Sequence, residues 1–284
     1  MNTLSEALGI TCSADIGLMS ISYTCFDGES SFSHALSLTT TGVNTSRLNR
    51  LEHFVSDFPA EGIHMSGEAL HSQLDEIERI HGLYSPAALG LASALACGAF
   101  TFLLGGGPLE MILAFAGAGI GNAIRCKLGK HHFTLFMCIA VSVSSACLVY
   151  AGFLKLAELL FHISVQHEAG YICSMLFIIP GFPFITSGID LAKLDMRSGL
   201  ERLAYAIIVV MVAAVSAWLM ALLLHLKPVD FLPLELSAAQ RILFRLLASF
   251  CGVFGFSVMF NSPVRLAAAA AFIGALSNLS LIHI

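Results

Sequence analysis

From Pro86 onward the chain is a ladder of apolar runs, and that pattern leaves few ways to fold. Residues 89–104, 109–124, 133–154, 171–191, 203–226 and 242–260 form six such runs, and a seventh opens near Val264. Each is close to the ~20 residues that a helix needs to cross a hydrocarbon layer. A bilayer core holds no water to satisfy backbone N–H and C=O groups, so segments of this kind close their own bonds as helices. Composition agrees: 57% of residues are hydrophobic and 12% charged, with a mean hydropathy of +0.83, well outside the range of a soluble domain. The expected fold is an α-helical polytopic membrane protein of about six to seven spans with a small N-terminal α+β domain, and its first partner is the lipid bilayer. The net charge of −5 and the lack of a basic stripe argue against a nucleic-acid partner.

Residues 1–85 read as the α+β domain. Alternating residues predict strands over 16–24 and 31–41, joined by a hairpin around Asp27-Gly28. Helices are predicted over 47–58 and 66–80, the second with Ser66 as N-cap and Leu70, Leu74 and Ile77 as its apolar stripe. Residues 86–230 read as a five-span membrane domain, and 231–284 as the start of a second. Lysine and arginine set the orientation. Arg125, Lys127 and Lys130, then Lys193, Arg197 and Arg202, then Arg265, fall on one side; Lys155, Lys227 and Arg241 fall on the other, with Arg245 just inside the sixth run. The bias predicts a cytoplasmic N-terminus and an inner-membrane location. The residues after Met1 are polar, without the basic and apolar regions of a signal peptide.

The fourth run is interrupted by Ile179-Pro180-Gly181-Phe182-Pro183. A proline in a helix interior lacks a donor and clashes with the turn before it, so this run is predicted to be a broken helix. Broken membrane helices expose half-helix ends that can hold a zwitterion. Pro180, Gly181 and Pro183, with Thr186 and Ser187 just downstream, are therefore candidate substrate-binding residues; the competing reading is a kink that only shapes packing. Asn122, polar in an apolar run, either lines the path or joins helices. Asp190, past the break, and Glu110, at the start of the second run, are candidate proton-coupling acids, because a carboxylate near lipid is costly to ionise. An interfacial ion pair for Asp190 and a helix-dipole contact for Glu110 are the alternatives. Gly117, Gly119 and Gly121 with Ala114 and Ala118 form a small-residue face suited to close helix packing.

Other features point away from chemistry. The eight cysteines include no CxxC pair and read as small hydrophobes. His162 and His167, near Glu158 and Glu168, lack the i,i+4 spacing of a helical metal pair. Lys155, Glu158 and the apolar residues around them read as an interfacial helix. No P-loop, no GxSxG and no supported Ser-His-Asp set is present. An enzyme, a cofactor, a metal site and ATP-driven transport are not expected.

In combination these features resemble the threonine/serine exporter family. The matching residues are Gly62-Ile63-His64-Met65-Ser66, then Glu68-Ala69 and Leu74-Asp75-Glu76-Ile77, then Tyr84-Ser85-Pro86 and Gly105-Gly106-Gly107. They continue with Ile179 to Pro183, Asp190, Ser198-Gly199-Leu200 and Arg202-Leu203. Gly255-Phe256 and Phe260-Asn261, followed by Pro263-Val264-Arg265, look like the opening of the family's second membrane domain, which makes Asn261, Pro263 and Arg265 its motif residues. The resemblance implies an inner-membrane secondary exporter whose small-molecule substrate is an amino acid or small carboxylate. Family members usually have a further amphipathic helix before the point matching Met1 and more spans after that matching Ile284. A second membrane subunit or a homo-oligomer is therefore expected to complete this chain, which could itself be a non-transporting subunit.

Overall fold

A computed structural model of the chain describes residues 1–38, 42–162, 167–227 and 230–280. A short helix α1 (Asn2–Leu8) leads into strands β1 (Thr11–Ile16), β2 (Ser20–Phe26) and β3 (Ser31–Ser37), followed by α2 (Thr45–Asp57) and α3 (Gly67–Glu78). The apolar part comprises α4 (Pro86–Leu103), α5 (Pro108–Lys130), α6 (Leu135–Phe161), two 3-10 turns (Glu168–Tyr171 and Cys173–Ile178), α7 (Gly181–Ala192), α8 (Met196–Leu224), α9 (Ala238–Met259) and α10 (Val264–Ser280). Among the described residues five helices, α4, α5, α6, α8 and α9, are long and apolar enough to cross a membrane, and the broken stretch from Glu168 to Ala192 makes a sixth if it is one span. The expected seventh run is α10, 17 residues long and shorter than these. By packing, the chain forms two units: Met1–Gly82 with Gly181–Ala206, and Leu83–Pro180 with Ile207–Ile284.

In the first unit the sheet is an antiparallel meander in which Cys12 faces Cys25 and Tyr23 faces His34. The hairpin at Asp27-Gly28 forms as predicted, with Gly28 at φ 102°, a conformation glycine enters without a Cβ clash. Asp27 accepts from Ser30 N, Glu29 N and Ser30 Oγ. The Ser30 amide first, then the Glu29 amide and the Ser30 hydroxyl, lower its carboxyl from an ordinary 3.8 to about 2. The bonds to the carboxylate are thus present near neutral pH and fade only as pH falls through about 2.

The strand boundaries differ from expectation. Residues 17–19 are a turn between β1 and β2, and β1 and α1 stand where no element was predicted; residues 39–41 lie outside the described residues. Strand β1 carries Thr, Cys, Ser and Asp, so its apolar alternation is too weak to read without its partner strand. Helices α2 and α3 begin on side-chain caps, Asn44 accepting from Arg47 N and Ser66, as predicted, from Ala69 N. Arg47 Nη2 donates to the carbonyls of Glu78 and Ile80, tying the start of α2 to the end of α3.

The second unit is built on close helix contacts. α5 packs against both α4 and α6, and its glycines face opposite ways. A Cβ at Gly119 would stand 3.1 Å from Ala94 Cβ on α4. One at Gly121 would stand 2.9 Å from both Ala146 Cβ and Ser142 O on α6, and one at Gly117 2.9 Å from Ala146 O. The predicted small-residue face is thus two faces on one helix. Asn122 is buried; its Nδ2 donates to Leu89 O (2.9 Å) and its Oδ1 accepts from Arg125 Nε (3.0 Å), so it joins α5 to α4. α4 also packs on α9, through Gly255 and Gly252. The α9–α10 turn is held by Asn261, at φ 64°, whose Oδ1 accepts from Leu83 N, and by Tyr84 Oη donating to Ser262 O. Pro263 precedes α10, its carbonyl accepting from Ala267 N, and Arg265 is exposed in the first turn.

Three expectations about the helices are corrected. Residues 155–161 are the last turns of α6 and not a separate interfacial helix. Arg197 and Arg202 lie on α8, which starts seven residues before the predicted span, because hydropathy does not mark where a helix continues past its apolar stretch. The fourth run is broken as predicted, with a bend of 57°, but its first half is 3-10 turns and not α-helix; Ile179 is extended (φ −60°, ψ 120°), and α7 starts at Gly181. Only Pro180 coincides with the break. Pro183 is the third residue of α7, in the first turn, where no intrahelical acceptor awaits its missing N–H.

Candidate buried acid pair

The start of α5 positions an acid inside the second unit. Gly105 turns the chain at φ 103°, Gly107 is the N-cap and Pro108 opens the helix, so Glu110 falls in the first turn, as the dipole favours. Its side chain does not turn outward. Glu110 is 2% exposed, and its Oε1 lies 2.6 Å from His167 Nδ1. Tyr150 of α6, fully buried, donates from Oη to the His167 carbonyl (2.7 Å). The chain then passes Tyr150 so closely that a Cβ at Gly170 would meet Tyr150 Oη at 2.1 Å and Glu110 Cβ at 3.1 Å. Glu168, next to His167, accepts from the Lys227 amide. One acid, one imidazole and one phenol therefore meet at one end of the helix bundle, held by a glycine that leaves them room.

A carboxylate taken out of water is tolerated when paired and hydrogen-bonded. Nδ1 and Oε1 at 2.6 Å can share a proton, with the charge on either partner. Sequence reading singled out Glu110 as a candidate acid, weighed His167 only as a metal ligand, and did not single out Tyr150. His167 is 57 positions away, and no local spacing connects them.

Of the other predicted residues, Gly181, Pro183, Thr186, Ser187 and Asp190 lie in the first unit, and Asn122, Pro180, Asn261, Pro263 and Arg265 in the second. Thr186 Oγ1 donates to the carbonyls of Phe182 and Pro183. Ser187, 1% exposed, donates to Gly199 O (2.8 Å) and fastens α7 to α8. Asp190 Oδ2 accepts from Ser198 Oγ (2.9 Å) and pairs with Arg202 Nη1 (3.4 Å). These bonds close the α7–α8 hairpin. On the same stretch of α8, Glu201 Oε2 accepts from Leu18 N (2.6 Å), and Arg197 pairs with Asp15, so the β1–β2 turn is fastened there too. Asn122 is twelve residues along α5 from Glu110, roughly 18 Å at the helical rise, so the two do not share a site. Among the described residues no three His, Cys, Asp or Glu side chains converge to hold a metal ion.

The long apolar helices, with the bent stretch from Glu168 to Ala192, are those of a multi-pass membrane protein. The chain matches the ThrE family model, described as “Putative threonine/serine exporter”, over residues 1–225, and it belongs to that family. No curated protein and no solved structure matches it.

Proposed function

We propose that this chain is an inner-membrane secondary exporter of threonine, serine or similarly small metabolites, driven by protons moving inward, and not an enzyme. The observation that carries the coupling is the buried Glu110–His167 pair in a chain of the exporter family. The charge bias supports an N-terminus in the cytoplasm, which puts the Glu110 end of the bundle outside. The start of α7 at Gly181 is suited to a substrate carboxylate; Thr186 and Ser187 shape that segment through their bonds to protein carbonyls. Asp190, already paired with Arg202, serves the α7–α8 hairpin, and the coupling role falls to Glu110.

Efflux from vesicles holding the purified chain, across a panel of amino acids and dicarboxylates with and without an inward proton gradient, tests this. Threonine or serine efflux accelerated by the gradient is expected. A chain that moves nothing by itself, yet co-purifies with a second membrane protein, would be a subunit instead. Orientation has its own check: a reporter active only outside the cytoplasm, fused at Lys227, is expected to be active, and a silent fusion would invert the topology.

A further inference from the structure

The cysteines divide by place. Cys97, Cys138, Cys147 and Cys173 are buried, as small hydrophobes are. Cys12 and Cys25 are only half-buried and stand on the three-stranded sheet, where Cys25 Sγ donates to Cys12 Sγ at 3.4 Å. They are 13 positions apart, so strand pairing brings them together and no local spacing announces them.

The ladder explains why the two thiols meet. The β1–β2 turn is closed by Gly17 N donating to Ser20 O (2.8 Å). Away from that turn, hydrogen-bonded and non-hydrogen-bonded pairs alternate, so Ser13–Thr24 is a bonded pair and Cys12–Cys25 is not. The far side of β2 agrees. Leu38 N donates to Met19 O and Asp27 N to Ser30 O, which turns the peptide groups of Cys25 towards β3 and away from β1. A non-hydrogen-bonded pair brings its Cα atoms to about 4.5 Å, within the roughly 4.4–6.8 Å that a disulfide spans. Facing residues project from the same side of a sheet, so joining the sulfurs needs side-chain rotation and no shift of backbone.

We propose that Cys12 and Cys25 form a reversible thiol–disulfide exchange site for low-molecular-weight disulfides of the glutathione type. The hydrogen bond to Cys12, then desolvation, hold the Cys25 thiol above the ordinary thiol range, so Cys25 keeps its proton and the Cys12 thiolate attacks. The sulfur–sulfur bond of the small disulfide breaks, a mixed disulfide forms on Cys12, and one small thiolate leaves. Cys25, its bond to Cys12 now gone, gives its proton to water and attacks Cys12 Sγ, expelling the second small thiolate. Two protein thiols and one small disulfide become one protein disulfide and two small thiols, and no other oxidant is needed. The link joins the open end of a hairpin whose turn end is already fastened to α8, through Leu18 N on Glu201 and Asp15 on Arg197. The site stands independently of the transport reading.

The test equilibrates the purified full chain with reduced and oxidised glutathione at stepped ratios, quenches with acid, alkylates the remaining thiols and maps the peptides by mass spectrometry. A Cys12–Cys25 link is expected to grow as the ratio moves to the disulfide and to vanish on return to excess thiol. Cys25→Ser, which keeps a small side chain on the strand, is expected to hold glutathione on Cys12 at least about tenfold more than the unmodified chain does, because a resolving thiol in contact clears the mixed disulfide in an intramolecular step. Cys12→Ser should accumulate glutathione on Cys25 more slowly than Cys25→Ser does on Cys12. Alkylation of both cysteines at every ratio would overturn the site. So would equal glutathione on Cys12 with and without Cys25, or a link from either residue to another cysteine in place of this one.

Discussion

Glu110→Gln is expected to reduce proton-driven efflux to the level of protein-free vesicles. The amide keeps an acceptor for an N–H at His167 Nδ1, now 2.6 Å from Oε1, so the bundle retains its packing while the proton-holding carboxylate is lost. External acidification should accelerate efflux by the unmodified chain and leave the residual rate of the variant flat. His167→Gln should flatten the profile in the same way, since it removes the other proton carrier. Asp190→Asn should keep the unmodified profile, because its bond to Ser198 survives and its partner Arg202 is only partly buried. A Glu110→Gln chain with the full acid response would remove the pair from the mechanism. Loss of that response in Asp190→Asn, with Glu110→Gln unaffected, would return the role to Asp190.

The second large effect is on stability. Gly121→Val should cost about 3 kcal/mol, the upper part of the range for overpacking a filled core. A Cβ there would press on Ala146 Cβ and Ser142 O at 2.9 Å and on Phe177 Cζ at 3.0 Å. The carbonyl belongs to the α6 backbone and the alanine has no rotamer to change, so relief requires α5 and α6 to separate. Gly152→Ala on α6 is the matched control: nothing lies within 4 Å of its Cβ position, and glycine inside a helix is less favourable than alanine by about 1 kcal/mol. Thermal unfolding in detergent should show Gly121→Val melting well below the parent and Gly152→Ala at or above it. Equal melting of the two variants would mean that the α5–α6 contact is looser than described.

Much of the architecture was legible because it is local. An apolar run of membrane length has to be a helix, whatever surrounds it. Ser66 and Asp27-Gly28 announce a cap and a hairpin through short-range bonds that their own neighbours complete. Elements whose local signal was weak were missed: β1 gains its strand from pairing with β2, and the first half of the fourth run was expected to be α-helix and is 3-10. Pro183 shows the limit of a residue rule. Proline breaks a helix interior, but its cost depends on where the helix begins, and α7 begins at Gly181.

By itself, then, the sequence determined that this protein is a bundle of membrane helices with a small α+β domain at its start, and which acids and glycines were worth watching. Only the tertiary structure decided what those residues do. Glu110 meets His167 across 57 positions, Ser187 and Asp190 close a hairpin, and Asn122 joins two helices. Hydrophobicity and backbone bonding act on a residue and its neighbours, and so can be read along the chain. The partner of a buried polar group is set by packing between segments far apart in it, and no local pattern records that choice.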